Sequence, residues 1–235
     1  MRGALFLCAA LWAAGPAQPA CRLALALGLD VSGSVDAREY RLQLDGVAAA
    51  LDDAGVRAAL LAVPDAHVWL AVYQWGGPEQ QRVLVHWTAI NSPADAQGVA
   101  DALRASGHRF PDRGTAIGSA MIFGAALLAR RPDCWRRVLD ISGDGPSNAG
   151  PRPGDLPRGD GPTINALVIG PLGRDNTDKN LSGARTLEYH YRMQVIRGPG
   201  AFIETAPDFD GFRRAMRRKL LREAELPALS RRRDQ

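Results

Sequence analysis

Five side-chain oxygens of this 235-residue chain fall at spacings that could bring them to one cation. Asp30-Val-Ser32-Gly-Ser34 presents a carboxylate and two hydroxyls at alternate positions. Thr115 follows a glycine at the expected start of a helix, and Asp144 ends an apolar run and is followed by Gly145-Pro146. All five are hard donors, which suits Mg²⁺ first, with Mn²⁺ or Ca²⁺ as alternatives, and does not suit Zn²⁺ or copper. Two carboxylates cancel the charge of a dication and three hydroxyls add none. Such a site holds its metal modestly and leaves a coordination position for a carboxylate from another molecule. The blander reading is that Asp30 caps the next helix and Ser32 and Ser34 are turn residues. The four histidines, His67, His86, His108 and His190, show no ligand spacing and read as surface or edge-strand residues.

These donors need a scaffold that gathers three distant loops. Leu23 to Leu29 is apolar or Gly throughout, as in a strand buried on both faces. In an open parallel sheet the loop after it lies at the carboxyl edge, where ligands bind. Asp36 and Glu39 form an Asp version of the capping box, and Tyr40, Leu44, Val47 and Leu51 share one helical face. Asp52 to Val63 allows a second short helix, closed by Pro64. Val68–Trp75 and Arg82–Trp87 read as an antiparallel hairpin with a connection of five or six residues. Ser92 or Pro93 opens a helix through Leu103, and Thr115 opens another through Leu128. Gly107 to Gly114 reads as a polar loop. Strands follow at Arg136–Ile141, Thr163–Ile169 and Ala201–Thr205. A helix over Ala184–Val195 precedes the last strand. A final helix turns Phe209, Phe212, Met216 and Leu220 inward and Arg213, Arg214, Arg217 and Arg218 outward. Trp69, Trp75, Trp87 and Trp135 read as core packing. The alternation predicts an α/β fold: a doubly wound, mostly parallel central sheet with one antiparallel edge strand and helices on both faces.

Composition agrees with a globular domain, at 46% hydrophobic and 23% charged residues. The net charge of +4 is almost all arginine, since Lys179 and Lys219 are the only lysines. The arginines are scattered among acids without interleaved aromatics, which argues against nucleic acid as a partner. Residues 1–20 read as a signal peptide: Met1-Arg2, an apolar core from Ala4 to Ala14, then small residues and Pro up to Ala20. That core is too short to span a bilayer, and no other run is long enough. A periplasmic or secreted protein is the expectation, cut after Ala17 or, preferably, after Ala20, with Cys21 directly after the latter cut raising a lipoprotein alternative that Gln18 disfavours. The domain then covers residues 21–226, and 227–235 form a basic tail expected to be disordered. Cys21 lies nine residues before Asp30 and Cys134 ten before Asp144. On neighbouring parallel strands that spacing permits a disulfide; two unpaired thiols are the other reading.

Asp-x-Ser-x-Ser after the first strand, Gly-Thr before a helix, and an apolar strand ending in Asp-Gly together resemble the metal-ion-dependent adhesion site (MIDAS) of von Willebrand factor A domains. The resemblance covers roughly residues 22–225. It implies that Asp30, Ser32, Ser34, Thr115 and Asp144 are the metal residues, the hydroxyls binding directly and the aspartates directly or through water. Asp-Val-Ser-x-Ser-Val-Asp, Gly-Thr-Ala-Ile-Gly, Ser-Gly-Asp-Gly-Pro and Gly-Pro-Gly-Ala-Phe are similar to an uncharacterised family of exported bacterial proteins with this fold. One departure stands out. Where such domains carry a crossover helix, Pro146 to Pro162 holds five prolines and few apolar residues. Either the helix is reduced to a turn or the sheet is uncovered there.

The expected function is a monomeric, metal-dependent protein-binding module that engages an Asp or Glu of its partner. A Mg²⁺-dependent phosphoryl-transfer enzyme with Asp30 as nucleophile is the alternative. Against it, Ser32 stands where a second carboxylate is usual, neither lysine is near the loops in sequence, and there is no Gly-x-Ser-x-Gly elbow. A structural domain with an idle metal site is the third reading.

Overall fold

Six strands form one sheet in the order β3-β2-β1-β4-β5-β6 in the computed structural model, which describes residues 20–107, 114–170 and 187–225. The signal segment up to residue 19, the basic tail, most of the Gly107–Gly114 loop with His108, the start of the Ala184–Val195 helix and Lys179 lie outside the described residues, while Ala20 already belongs to the first strand. β1 (Ala20–Asp30) runs parallel to β2 (Ala66–Trp75) on one side and to β4 (Arg137–Gly143) on the other. β3 (Gln81–Ile90) pairs antiparallel with β2 at one edge. β5 (Thr163–Ile169) and β6 (Ile203–Ala206) continue the parallel side. The sheet is therefore mixed, with the single antiparallel edge expected from the hairpin.

β1 sits at the centre because it can be buried on both sides. Leu23, Leu25, Leu27 and Leu29 enter one core with α1 (Ala37–Asp52), α2 (Ala54–Leu60), α3 (Pro93–Ala105) and α5 (Phe212–Ala224). Ala24 and Ala26 enter the other, under α4 (Ile117–Ala129). The two faces differ in bulk. A Cβ on Gly28 would stand 2.6 Å from the Tyr73 ring, so the small side of β1 leaves room for Tyr73 and Trp75, both fully buried. The Tyr73 hydroxyl donates to the Ala120 carbonyl (2.8 Å) and ties α4 to the sheet.

Most helix starts follow the sequence. Asp36 and Glu39 complete the capping box of α1, with the Glu39 amide 2.8 Å from Asp36 Oδ1 and the Asp36 amide 2.9 Å from Glu39 Oε2. Asp53 caps α2 and Ser92 caps α3, with Pro93 in its first turn. α4 differs from expectation. It begins at Ile117, with Ala116 in the cap position and no side-chain cap, so the Thr115 hydroxyl is not spent on the helix. α5 buries Phe212, Met216 and Leu220, with Phe209 just before it, and exposes Arg213, Arg214, Arg217 and Arg218.

The Pro-rich crossover is reduced to one 3₁₀ turn, Pro153–Asp155. A five-residue π-helical turn, Tyr191–Val195, lies beside it and supplies Tyr191 and Val195 to the α4-side core. Arg197 holds the region together by donating to the carbonyls of Pro153, Leu156, Pro157, Gln194 and Val195. One further expectation is corrected. Trp135 is 66% exposed, because it follows Cys134 in a turn ahead of β4 and not on the strand. Lys219 belongs to the inward face of α5, fully buried, with its ammonium 2.9 Å from Glu223 and 3.2 Å from Asp140.

Cys21 and Cys134 form a disulfide with a Cα–Cα distance of 4.4 Å. It closes the base of the sheet between β1 and the chain entering β4, where the Trp135 amide also donates to the Cys21 carbonyl (2.9 Å). The bond uses the Cys21 sulfur, leaving no thiol there for a lipid. It also uses both sulfurs of the Cys21–Asp133–Cys134 group, the only His/Cys/Asp/Glu cluster of metal-binding size among the described residues.

Candidate metal centre

At the opposite edge, β1 ends in Asp30 and β4 runs into Asp144. Asp30 Oδ1 accepts the Ser32 amide at 2.8 Å. The Ser32 and Ser34 hydroxyls are 3.3 Å apart, and Ser34 Oγ donates to Asp144 Oδ1 at 2.7 Å. Four of the five residues picked from the sequence are thus joined by successive hydrogen bonds. The group is graded in depth: Asp30 and Ser32 are fully buried, Asp144 is half-buried and Ser34 is exposed. A ligand approaching from solvent would meet Ser34 and Asp144 first.

Thr115 joins this group through its loop. Its amide donates to Asn148 Oδ1 (2.8 Å), and its carbonyl accepts from the Asn148 amide (2.9 Å) and the Ser147 hydroxyl (3.3 Å). The second and third loops are therefore stitched together by backbone and short polar side chains. Two glycines make the approach feasible. A Cβ on Gly118 would lie 2.0 Å from the Pro151 carbonyl oxygen, and Gly150 has φ +69°, a left-handed conformation that favours glycine. Thr115 is 5% exposed, and its hydroxyl makes no hydrogen bond to a described residue.

The electrostatics ask for a cation. Burial, and then the charge of Asp144, push the Asp30 carboxyl up to about 7, against the pull of the Ser32 amide and hydroxyl and the Asp144 amide. Burial also raises Asp144, with Glu39 adding and the Ser34 hydroxyl opposing. Asp30 Oδ2 is buried and has no hydrogen-bond partner. An anionic oxygen in that position is costly unless a cation or a proton meets it. The donor set, two carboxylates and three hydroxyls, fits a hard dication, and Asp30, Ser32, Ser34, Thr115 and Asp144 are the residues that could hold one.

Sequence reasoning missed the supports. Gln43, fully buried on α1, donates from Nε2 to the Asp30 carbonyl (2.7 Å), and the Val31 amide donates to the Trp75 carbonyl (2.8 Å), so the end of β1 is held from both sides. Tyr191 is fully buried beneath the site; a Cβ on Gly143 would stand 2.3 Å from its hydroxyl and 3.0 Å from Asp30 Oδ2. Gly143 is thus what lets Tyr191 and Asp30 approach each other. His190 Nε2 accepts from the Ser147 amide at 3.5 Å, tying the same segment to the third loop. Only the glycine in Ser142-Gly143-Asp144 signalled any of this, as a position where another group comes close. Lys219, paired with Asp140 and Glu223 and fully buried, is not available to Asp30.

Topology and sheet order together define a von Willebrand factor A fold, and solved structures share it. A pilus adhesin, SpaC, from Lactobacillus rhamnosus GG aligns over 88% of this chain and 31% of its own, with 14% identity and a TM-score of 0.59. Proximal thread matrix protein 1 from the mussel byssus, in a form with a zinc-occupied MIDAS motif, aligns over 88% of this chain and 47% of its own, with 19% identity and a TM-score of 0.57. A von Willebrand factor type A structure from Catenulispora acidiphila covers 87% and 43%, with 15% identity and a TM-score of 0.50. At these identities the likeness is one of fold, and the chain spans less than half the length of each. The chain belongs to the family described as a protein of unknown function (DUF1194), which matches residues 20–228. None of the curated proteins matches it.

Proposed function

We propose that this domain is an exported, monomeric adhesion-type module in which Asp30, Ser32, Ser34, Thr115 and Asp144 hold a divalent cation. A protein partner completes the metal's shell with an Asp or Glu carboxylate. The observation that carries this reading is the buried Asp30 Oδ2 with no hydrogen-bond partner, on a carboxylate close enough to Asp144 for that charge to raise it. Mg²⁺ is the expected ion because every donor is a hard oxygen; the zinc-occupied motif of the mussel protein makes zinc the competitor to test. Export by a signal peptide ending at Ala20 is supported by the Cys21–Cys134 disulfide, a bond that persists in oxidising compartments. No described helix is long and apolar enough to cross a membrane. The domain would occupy residues 21–226, and the tail would extend from it.

Isothermal titration with Mg²⁺, Mn²⁺, Ca²⁺ and Zn²⁺ tests the site, and a pull-down from envelope extract with Mg²⁺ or EDTA tests the function. Metal binding and EDTA-sensitive capture should both vanish in Asp30→Ala and Asp144→Ala. Capture that persists undiminished in excess EDTA sinks the adhesion reading. A phosphoryl-transfer reading gains ground only if a phosphate ester is turned over by the wild type and not by Asp30→Asn.

A further inference from the structure

The edge opposite the metal centre carries a different surface. It is formed by the starts of the parallel strands β1, β4 and β5, which begin at Ala20, Arg137 and Thr163. A cleft of about 760 Å³ there is lined by Trp135, Arg136, Arg137, Phe202, Arg222 and Glu225. A second, largely apolar cleft of about 380 Å³ shares Gly161 with it and brings Arg158 and Arg197. Trp135 is 66% exposed, yet its backbone is fixed by the Cys21 carbonyl beside the disulfide. Ile122, on the rim of the second cleft, is 49% exposed.

None of these five arginines has a carboxylate ion-pair partner among the described residues. Arg136 donates to the carbonyls of Glu223 and Glu225, Arg197 to five carbonyls and Arg158 to that of Met193. Arg137 reaches the Asp160 carbonyl, and Arg222 stacks 3.8 Å over the Phe202 ring. These contacts orient the guanidinium groups without neutralising them. Glu225 lines the first cleft, Asp160 is exposed, and Asp133 lies beside the disulfide, where Arg131 pairs with it at 2.9 Å, so the arginines still outnumber the acids here. The metal edge has the reverse balance, with Asp30, Asp36, Glu39 and Asp144 around its loops. Among the described residues, then, arginines without a carboxylate partner gather with an exposed tryptophan at the base, and carboxylates gather at the site.

We propose that the base edge docks on an anionic lipid bilayer, with Arg137, Arg222 and their neighbours against the headgroups and Trp135 in the interface. Charge complementarity selects that occupant: clustered arginines are drawn to an anionic leaflet, and an exposed tryptophan has the apolar body and polar N–H that suit the interfacial layer. The acidic edge is repelled by the same surface. Docking in this orientation presents the site loops away from the bilayer, toward a partner. The inference stands apart from the metal reading and goes beyond it.

Co-sedimentation with vesicles, run in EDTA so that the metal centre plays no part, tests it. The disulfide-bonded protein should bind vesicles of phosphatidylcholine with about a third phosphatidylglycerol, and not phosphatidylcholine alone. Binding should be lost at high salt, where screening shortens the reach of the charges. Arg137→Gln with Arg222→Gln should weaken partitioning about thirtyfold, at the usual strength of each arginine near an anionic surface. Trp135→Ala, a surface change that leaves the fold intact, should weaken it several-fold. Arg213→Gln with Arg214→Gln removes the same charge from the outer face of α5 and should leave partitioning within about twofold. Equal losses from both arginine pairs would mean net charge alone and overturn the proposal. So would the absence of phosphatidylglycerol-dependent binding, or wild-type binding by Trp135→Ala.

Discussion

Replacing Asp30 by Asn should make the metal-free protein more stable while abolishing its response to Mg²⁺. Asp30 is fully buried, faces Asp144 and has one carboxylate oxygen without a partner. Its carboxyl is pushed from 3.8 up to about 7, a gap worth about 4 kcal/mol between the charged and neutral forms. Asparagine removes the charge and keeps an oxygen where Oδ1 accepts the Ser32 amide. If half of that penalty is recovered, about 2 kcal/mol, the Tm in EDTA should rise by roughly 4–8 °C for a domain of this size. The pH dependence follows from the direction of the shift. A raised carboxyl contributes stability that is fully present below its unfolded value and is lost as pH rises through about 7. Wild-type Tm in EDTA should therefore fall between pH 5 and pH 8, and the Asn variant should lose this part of the slope. Mg²⁺ needs the ionised form, so its stabilising shift should grow over the same interval in the wild type and be absent from the variant. Differential scanning calorimetry in EDTA and in Mg²⁺ at four pH values measures all of this. A lower Tm for Asp30→Asn in EDTA would refute the reasoning, because it would make the carboxylate a structural cap and not a ligand waiting for charge.

Other perturbations test the supports. Gly143→Ala should lower both stability and metal affinity, since its Cβ would stand 2.3 Å from the Tyr191 hydroxyl and 3.0 Å from Asp30 Oδ2; calorimetry and Mg²⁺ titration read the two effects. Reducing the Cys21–Cys134 bond, which spans 113 positions, should cost up to about 5 kcal/mol in urea unfolding with and without reductant, and leave Mg²⁺ affinity at the other edge nearly unchanged. Lys219→Met strands Asp140 and Glu223 without their cation and should cost about 3–5 kcal/mol at pH 8. The loss should shrink toward pH 5, because burial and Glu223 hold the Asp140 carboxyl up at about 7 despite Lys219, and a proton then replaces the ammonium.

Periodicity and motif spacing carried the architecture a long way. The unbroken apolar run of β1 marked a strand covered on both faces, and the short connection between Val68–Trp75 and Arg82–Trp87 marked the antiparallel edge. Asp36 and Glu39 located the start of α1 because a capping box is a local hydrogen-bond pattern, complete within four residues. The failures share a different cause. Trp135 was read as core from its residue type, but its burial depends on which turn carries it past the sheet edge. The partners of Lys219 were not legible either, since α5 packs it against Asp140 on a strand nearly eighty positions earlier. Thr115 was read as opening a helix, whereas the helix starts two residues later and Asn148, in a distant loop, holds the Thr115 backbone.

By itself, then, the amino-acid sequence determined the identity and order of the candidate ligands, the alternation that makes the sheet parallel, and the two cysteines at matching depth on neighbouring strands. Those features are local or periodic, and backbone geometry repeats them wherever the pattern occurs. The tertiary structure alone decided that Asp30 Oδ2 is buried without a partner, that Tyr191 fills the space Gly143 leaves open, and that a π-helical turn and an arginine hub stand in for the missing crossover helix. It also decided that unpaired arginines gather at the edge opposite the acids. Each of these depends on atoms brought together from segments far apart in the chain, and burial and charge have no value until those segments are packed.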